Sequence, residues 1–175
     1  MSFFAIQVVT SKEDSFKDNF GATWPDIQVF NIKKRMSIRR RGKTVQEVTC
    51  LFPGYLFLAC SDDHLPAQFV HDLKKTNWFV RVLPSTDGIT PLNDRDSALL
   101  AQLLSFGKEI GPSLVTFTPD KKIRVIKGAL IGLEGSIVSV NKRKKRVRVK
   151  TQLSDAPFVF DLSIDIIEVV EEAKT

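Results

Sequence analysis

From residue 122 onward no helical period survives in this sequence. Instead, short runs rich in β-branched and aromatic residues follow one another at 122–126, 135–140, 145–150, 157–162 and 166–171, with turn residues between them. Five strands in so short a stretch suit a small closed or nearly closed barrel. A unit this size has a thin core and is stable only if its strand edges are paired. The run 145–150 alternates cleanly. Arg146, Arg148 and Lys150 point one way while Val147 and Val149 point to the core. β-branched residues at 136–140 and 147–149 also disfavour a helical alternative.

The first part of the chain is built differently. An apolar run at 3–9 reads as a buried strand. Ser11 then offers a helix N-cap, with Asp14 three residues on, Phe16 and Phe20 at helical spacing and Gly21 as the stop. Strands are predicted at 27–32, 44–52, 55–60 and 78–84, with Pro53-Gly54 breaking the chain between the second and third of these. Leu65, Phe69 and Leu73 recur every four residues and mark one amphipathic helix. Asn93 caps another, whose apolar residues include Leu99 and Leu103. A sheet covered by helices predicts one α+β domain over 1–106. Residues 107–121 hold two glycines and two prolines without a clear period, so they read as a linker to the barrel domain at 122–173.

Charge adds direction. The net charge is +6, from 26 Lys and Arg against 20 Asp and Glu. Segments 33–43 and 142–150 each hold seven basic residues and no acidic one, which leaves 12 basic and 20 acidic residues elsewhere. Two directed positive surfaces in a net acidic remainder point to a polyanionic partner. Guanidinium groups fork onto phosphates and stack on unpaired bases, so RNA is the expected ligand. The candidate contacts are Lys33, Lys34, Arg35, Arg39, Arg40, Arg41 and Lys43 on an extended hairpin arm, with Lys144 and Arg146 on the barrel.

Other classes find little support. No apolar run approaches the ~20 residues that span a bilayer, and residues 1–10 do not read as a signal peptide. The expectation is a cytoplasmic, monomeric protein with no membrane partner. Cys50 and Cys60 form no CxxC pair and are expected as reduced thiols. His64 and His71 share a helix face near Asp62, Asp63 and Asp72, an arrangement better explained by solvent-facing polarity than by a metal. No phosphate loop, nucleophile elbow or zinc spacing occurs. No enzyme activity, cofactor or metal is expected.

Phe52-Pro53-Gly54-Tyr55 runs into Leu56-Phe57-Leu58. An aromatic opening strand ending in Gln7 precedes it. Trp78, Val80, Arg81 and Pro84 follow, and then Gly88 and Pro91 before an acidic helix. This order resembles the N-terminal (NGN) domain of the NusG family. The tail resembles a KOW motif through 123–128 and through 133–138, where Gly135 opens a strand. The resemblance implies a transcription elongation factor whose first domain binds the clamp helices of RNA polymerase. It carries polymerase contact onto Phe3, Phe4, Phe52, Tyr55 and Phe57. It also implies possible contact with nascent RNA or an RNA hairpin, or with upstream or non-template DNA. The barrel would recruit a further partner through Leu130, Ile131, Leu133 and Leu162, where the family usually carries aromatic residues. Leucine in those places removes flat anchoring area. That departure, with the basic arm, favours a specialised processive antiterminator similar to LoaP over a general factor coupled to termination or translation. A KOW-containing RNA-binding protein of ribosomal type is the other alternative.

Overall fold

The computed structural model describes residues 1–84 and 88–168. In chain order the elements are β1 (Ser2–Val8), α1 (Glu13–Gly21), β2 (Gln28–Phe30), β3 (Lys33–Arg40), β4 (Lys43–Cys50), β5 (Tyr55–Cys60), α2 (Ala67–Lys75), β6 (Phe79–Leu83) and α3 (Asp94–Leu104). They continue with β7 (Glu109–Ile110), β8 (Ser113–Phe117), β9 (Ile123–Lys127), β10 (Ile137–Asn141), β11 (Arg146–Leu153) and β12 (Ala156–Ile166). The fold is mixed α+β, as the two kinds of hydrophobic period predict.

The central sheet has the order β2-β5-β1-β6 and is antiparallel throughout. Successive residues of β1 and β5 point to opposite faces, and both faces are buried. Phe4, Ile6, Val8, Leu56 and Leu58 meet Phe16 and Phe20 of α1 and Phe69 and Leu73 of α2. There Phe20 packs edge-on against Phe69 with ring centroids 5.1 Å apart. Phe3, Ala5, Phe57 and Ala59 face the other way, toward Leu100 and Leu103 of α3 and toward the second half of the chain.

That second half forms a five-stranded sheet of order β10-β11-β12-β8-β9, a half-barrel arrangement consistent with a KOW-like domain. β12 runs parallel to β8, and the other neighbours are antiparallel. Val147, Val149 and Leu153 of β11 are fully buried while Arg148, Lys150 and Gln152 are exposed, as the alternation predicts. The inward residues do not form a core separate from that of the central sheet. Val147, Val149, Leu153, Phe160, Leu162 and Ile164 belong to the same buried cluster as Phe3, Phe52, Phe57 and Leu100. The outer face of the central sheet and the inner face of the half-barrel are therefore one apolar layer.

The structure departs from the sequence reading in several places. Within the span expected as a linker, β7 pairs in parallel with β3, and β8 lies between β12 and β9. Ile110 and Val115 are buried, so glycine and proline mark turns here rather than a flexible tether. The strand expected at 166–171 starts where β12 ends, and residues 169–171 lie outside the described residues. Ser11 does not cap α1. It sits at φ 72°, and Lys12 holds the cap position without a side-chain hydrogen bond. His64 precedes α2, which starts only after Pro66. Asn93 does cap α3, its Oδ1 accepting the Asp96 N–H at 2.9 Å.

Two glycines sit where any side chain would be strained. Gly54 (φ 81°) makes the sharp entry into β5, and a Cβ there would stand 2.9 Å from Thr10 Oγ1. Gly128 (φ 114°) lies against Ser113, whose Cα would be 2.7 Å from an added Cβ. Gly135, which the motif suggested as the strand opener, has open space around it and lies in a single 3-10 turn before β10.

Candidate nucleic-acid interface and the covered aromatic face

Of the five aromatic residues singled out as polymerase contacts, four share a face. Phe3, Phe52, Tyr55 and Phe57 belong to the layer between the sheet and the half-barrel, whereas Phe4 is fully buried under α1 and α2. The separation follows from strand alternation, because neighbours on β1 cannot point the same way. Phe52 is the hub. Its ring meets Phe57, Phe158 and Phe160 edge-on, each with centroids 5.3 Å apart. Tyr55 stays half-buried and packs its ring on Phe158 at 4.8 Å. The aromatic face is thus covered by β12.

Polar groups tie the cover down. Ser154 N–H donates to Asp96 Oδ2 at 2.7 Å, and Gln102 Nε2 donates to the carbonyls of Ala129 and Ile131 at 3.0 and 2.8 Å. Ser163 Oγ donates to the Arg35 carbonyl at 2.8 Å. Lys34 Nζ donates to the Asp161 carbonyl at 2.8 Å, and burial there holds its ammonium below the usual lysine range. Sequence reasoning missed Asp96 and Gln102, which look like ordinary solvent-facing helix positions. Phe158 and Phe160 left a usable signal, since aromatic residues two apart on a strand share a face. The residues proposed for a barrel partner divide. Leu130 and Leu162 are buried in the shared layer, Leu133 is half-buried, and Ile131 stands 49% exposed.

The basic arm is the β3–β4 hairpin. It turns on Arg41 and Gly42, both with positive φ, as a two-residue loop between twisted strands requires. Several of its cations are already engaged. Lys33 pairs with Asp14 at 2.7 Å, Arg35 with Glu109 at 2.7 Å and Arg40 with Glu47 at 2.9 Å. The Lys33 contact holds the Asp14 carboxyl below its ordinary value and raises Lys33 in turn. Arg39, Arg41, Lys43 and Lys144 make no ion pair among the described residues. Arg146 Nη2 reaches the Ser37 carbonyl at 3.4 Å, and its Nε is buried without an acceptor among the described residues. On the half-barrel, Arg148 grips Asp161 at 2.8 Å and depresses that carboxyl.

The fold brings the two basic segments together. Ser37, Ile38, Arg39, Gly42 and Thr44 of the arm face residues 143–146 of the β10–β11 turn across a cleft of about 780 Å³. Among the described residues, five cations and no carboxylate line it. The spacing of 100 residues between the segments hid this convergence from the sequence. His64 and His71 are exposed, and among the described residues no group of three or more His, Cys, Asp or Glu could hold a metal. No helix among the described residues is long and apolar enough to cross a membrane.

Residues 1–100 match the family described as "Transcription termination factor nusG". The "Transcription termination/antitermination protein NusG" of Pseudomonas aeruginosa is 25% identical over 138 residues, covering 78% of this chain and 71% of that protein. The protein of the same description from Neisseria meningitidis serogroup B is 23% identical over 122 residues, covering 70% and 67%. A solved structure described as "Domain interaction in Thermotoga maritima NusG" shares 12% identity, with a TM-score of 0.49 over 93% of each chain.

Proposed function

The chain belongs to the NusG family of transcription termination and antitermination factors, and from that premise we propose that it regulates transcription elongation by binding RNA polymerase through the sheet face of Phe3, Phe52, Tyr55 and Phe57. The observation that carries this reading is the composition of that face. Three aromatic rings from the Pro53-Gly54 turn and β5 gather on a side of the sheet where β12 of the second domain, not α1 or α2, supplies their cover. A partner with an apolar helical surface can take the place of β12 only if the half-barrel moves away. The docked form is therefore the unengaged form, and the affinity measured for polymerase is reduced by the fraction of chains that are docked.

The specialised-antiterminator reading rests on the basic arm. Arg39, Arg41 and Lys43 are exposed and unpaired among the described residues, and contact with nascent RNA is what such a hairpin suits. Clamp helices of the polymerase are the proposed protein partner, and Ile131 with Leu133 is the part of the barrel left to receive another factor. Tyr55→Ala tests the polymerase site. Titration of core RNA polymerase should show binding weakened by about 1–3 kcal/mol if Tyr55 is an anchor. Because Tyr55 also packs on Phe158, the comparison is repeated with Phe158→Ala in both chains, and unchanged affinity in that folded pair removes Tyr55 from the interface.

A further inference from the structure

We propose that the cleft between the β3–β4 hairpin and the β10–β11 turn is a composite site for the phosphodiester backbone of single-stranded RNA, complete only while the half-barrel is docked on the sheet. The proposal rests on the reading that the arm contacts RNA and adds where the backbone lies and what else must be in place. Arg39 stands on the first domain's wall, and Arg143, Lys144 and Lys145 stand on the other. Arg146 bridges them through the Ser37 carbonyl while its Nε finds no acceptor among the described residues.

Like charges so gathered oppose docking. Charges of one sign facing each other across such a cleft repel, and more strongly beside low-dielectric protein than in bulk water. Among the described residues no carboxylate lines the cleft to relieve this, whereas elsewhere on the arm Lys33, Arg35 and Arg40 each have an acidic partner. The docked form holds the two walls together through contacts outside the cleft, among them Phe52 on Phe158 and Gln102 on the Ala129 and Ile131 carbonyls. A polyanion between the walls removes the repulsion and favours docking.

The shape selects among polyanions. A concave cleft of about 780 Å³ is within the size range of ligand pockets, roughly 300–1,000 Å³. A positively charged groove of that kind tracks one flexible backbone, as single-strand binders do. Thr44 lines it as well, with Ser37, whose hydroxyl accepts from Gln46 Nε2 at 2.7 Å and keeps its own O–H to donate, and hydroxyls are suited to a ribose 2′-OH, which DNA lacks. Linkage follows. RNA that binds the docked form more tightly must itself favour docking, and the docked half-barrel covers Phe52 and Tyr55. RNA spanning both walls of this cleft and any ligand of the aromatic face therefore weaken each other, and with polymerase bound the arm alone is left to hold RNA.

The experiment uses the full chain and a fluorescein-labelled 15-nucleotide oligouridylate, titrated by anisotropy at several salt concentrations. Oligodeoxyuridylate and a DNA duplex of equal length serve as competitors. Each phosphate engaged should steepen the salt dependence by about 0.7 log units per log unit of salt. Arg39→Ala and Lys144→Ala should each lower affinity, by roughly threefold to tenfold at low salt, with a shallower slope. The decisive variant is Phe158→Ala, which keeps every cation but loosens docking. Its RNA affinity should fall by about tenfold or more and its slope should flatten, as if one wall had been lost. Gln102→Ala, which removes two hydrogen bonds across the boundary, makes the same test should Phe158→Ala fail to fold. If a folded, opened variant keeps the parent's affinity and slope, the composite site is wrong although the arm still binds RNA. If the parent chain does not bind the oligouridylate even at low salt, RNA contact by the arm fails with it. Equal or better competition by either DNA overturns the choice of RNA.

Discussion

Phe158 is the side chain whose removal best separates docking from folding. It projects from β12 onto the first domain, edge-on to Phe52 at 5.3 Å and to Tyr55 at 4.8 Å. Each edge-to-face pair contributes about 0.5–1.5 kcal/mol beyond its buried area. The ring is half-buried rather than enclosed, so Phe158→Ala should lose less than the 3–5 kcal/mol, roughly, of a core phenylalanine. About 2–3 kcal/mol remains as the expected loss, and it falls mainly on docking, because β12 keeps Phe160, Leu162 and Ile164 in the layer beneath. At about 1.4 kcal/mol per factor of ten, the docked-to-open ratio drops by roughly 30- to 150-fold. Apparent affinity for core RNA polymerase should rise, by up to that factor if the docked form dominates in the parent. Binding would be measured by anisotropy of labelled protein against a polymerase titration, with Phe158→Leu as a control that keeps apolar bulk but not the ring. A Phe158→Ala chain that is folded, shows separated domains by NMR relaxation and binds polymerase no more tightly would refute the idea that β12 occludes the binding face.

Three further outcomes follow from the geometry. Gly54→Ala should destabilise the chain by about 1–3 kcal/mol in urea unfolding, because φ 81° and the 2.9 Å approach of Thr10 Oγ1 leave no room for a methyl group; a change within error would mean the turn relaxes freely. A fragment of residues 112–175 should give dispersed NMR signals and one of 120–175 should not, because the shorter piece lacks β8, which pairs on both sides within the half-barrel sheet; two equally folded fragments would make β8 dispensable. Asp14 and Asp161 are held below the ordinary aspartate value by hydrogen bonds to Lys33 and Arg148. Their stabilisation is complete above that value and lost as pH falls through their lowered folded-state values. Melting temperature should therefore decline below about pH 4, and less steeply in Asp161→Asn; an identical pH profile would remove Asp161 from the effect.

Much of the architecture was legible in the sequence because it depends on local periods. Alternation at 146–150 placed Val147 and Val149 inward, and Asn93 before an apolar helix announced its cap. Phe52 to Leu58 marked the turn and strand at the centre of the sheet. Where local signals competed, the reading failed. Ser11 has the chemistry of a cap, but the chain passes it at positive φ, and Glu13 is instead drawn inward to accept the Gly54 N–H at 2.6 Å. Glycine and proline at 107–121 suggested a tether, yet Ile110 and Val115 are apolar enough to be buried, and pairing with β3 and β12 overrides turn propensity.

Composition, period and motif order determined that this chain has a helix-covered sheet, a β-only tail and two clusters of cations. They could do so because each depends on residues near one another in sequence. Which face of β1 carries Phe3 and which carries Phe4 also follows from alternation, but what covers each face does not. Only tertiary structure decided that β12 lies over Phe52 and Tyr55, that Lys34 is buried against the Asp161 carbonyl, and that Arg39 and Lys144 face each other across one cleft. The physical reason is distance along the chain. Those contacts join residues about a hundred positions apart, and they form because two apolar faces, each left partly uncovered alone, bury each other and carry the charges along.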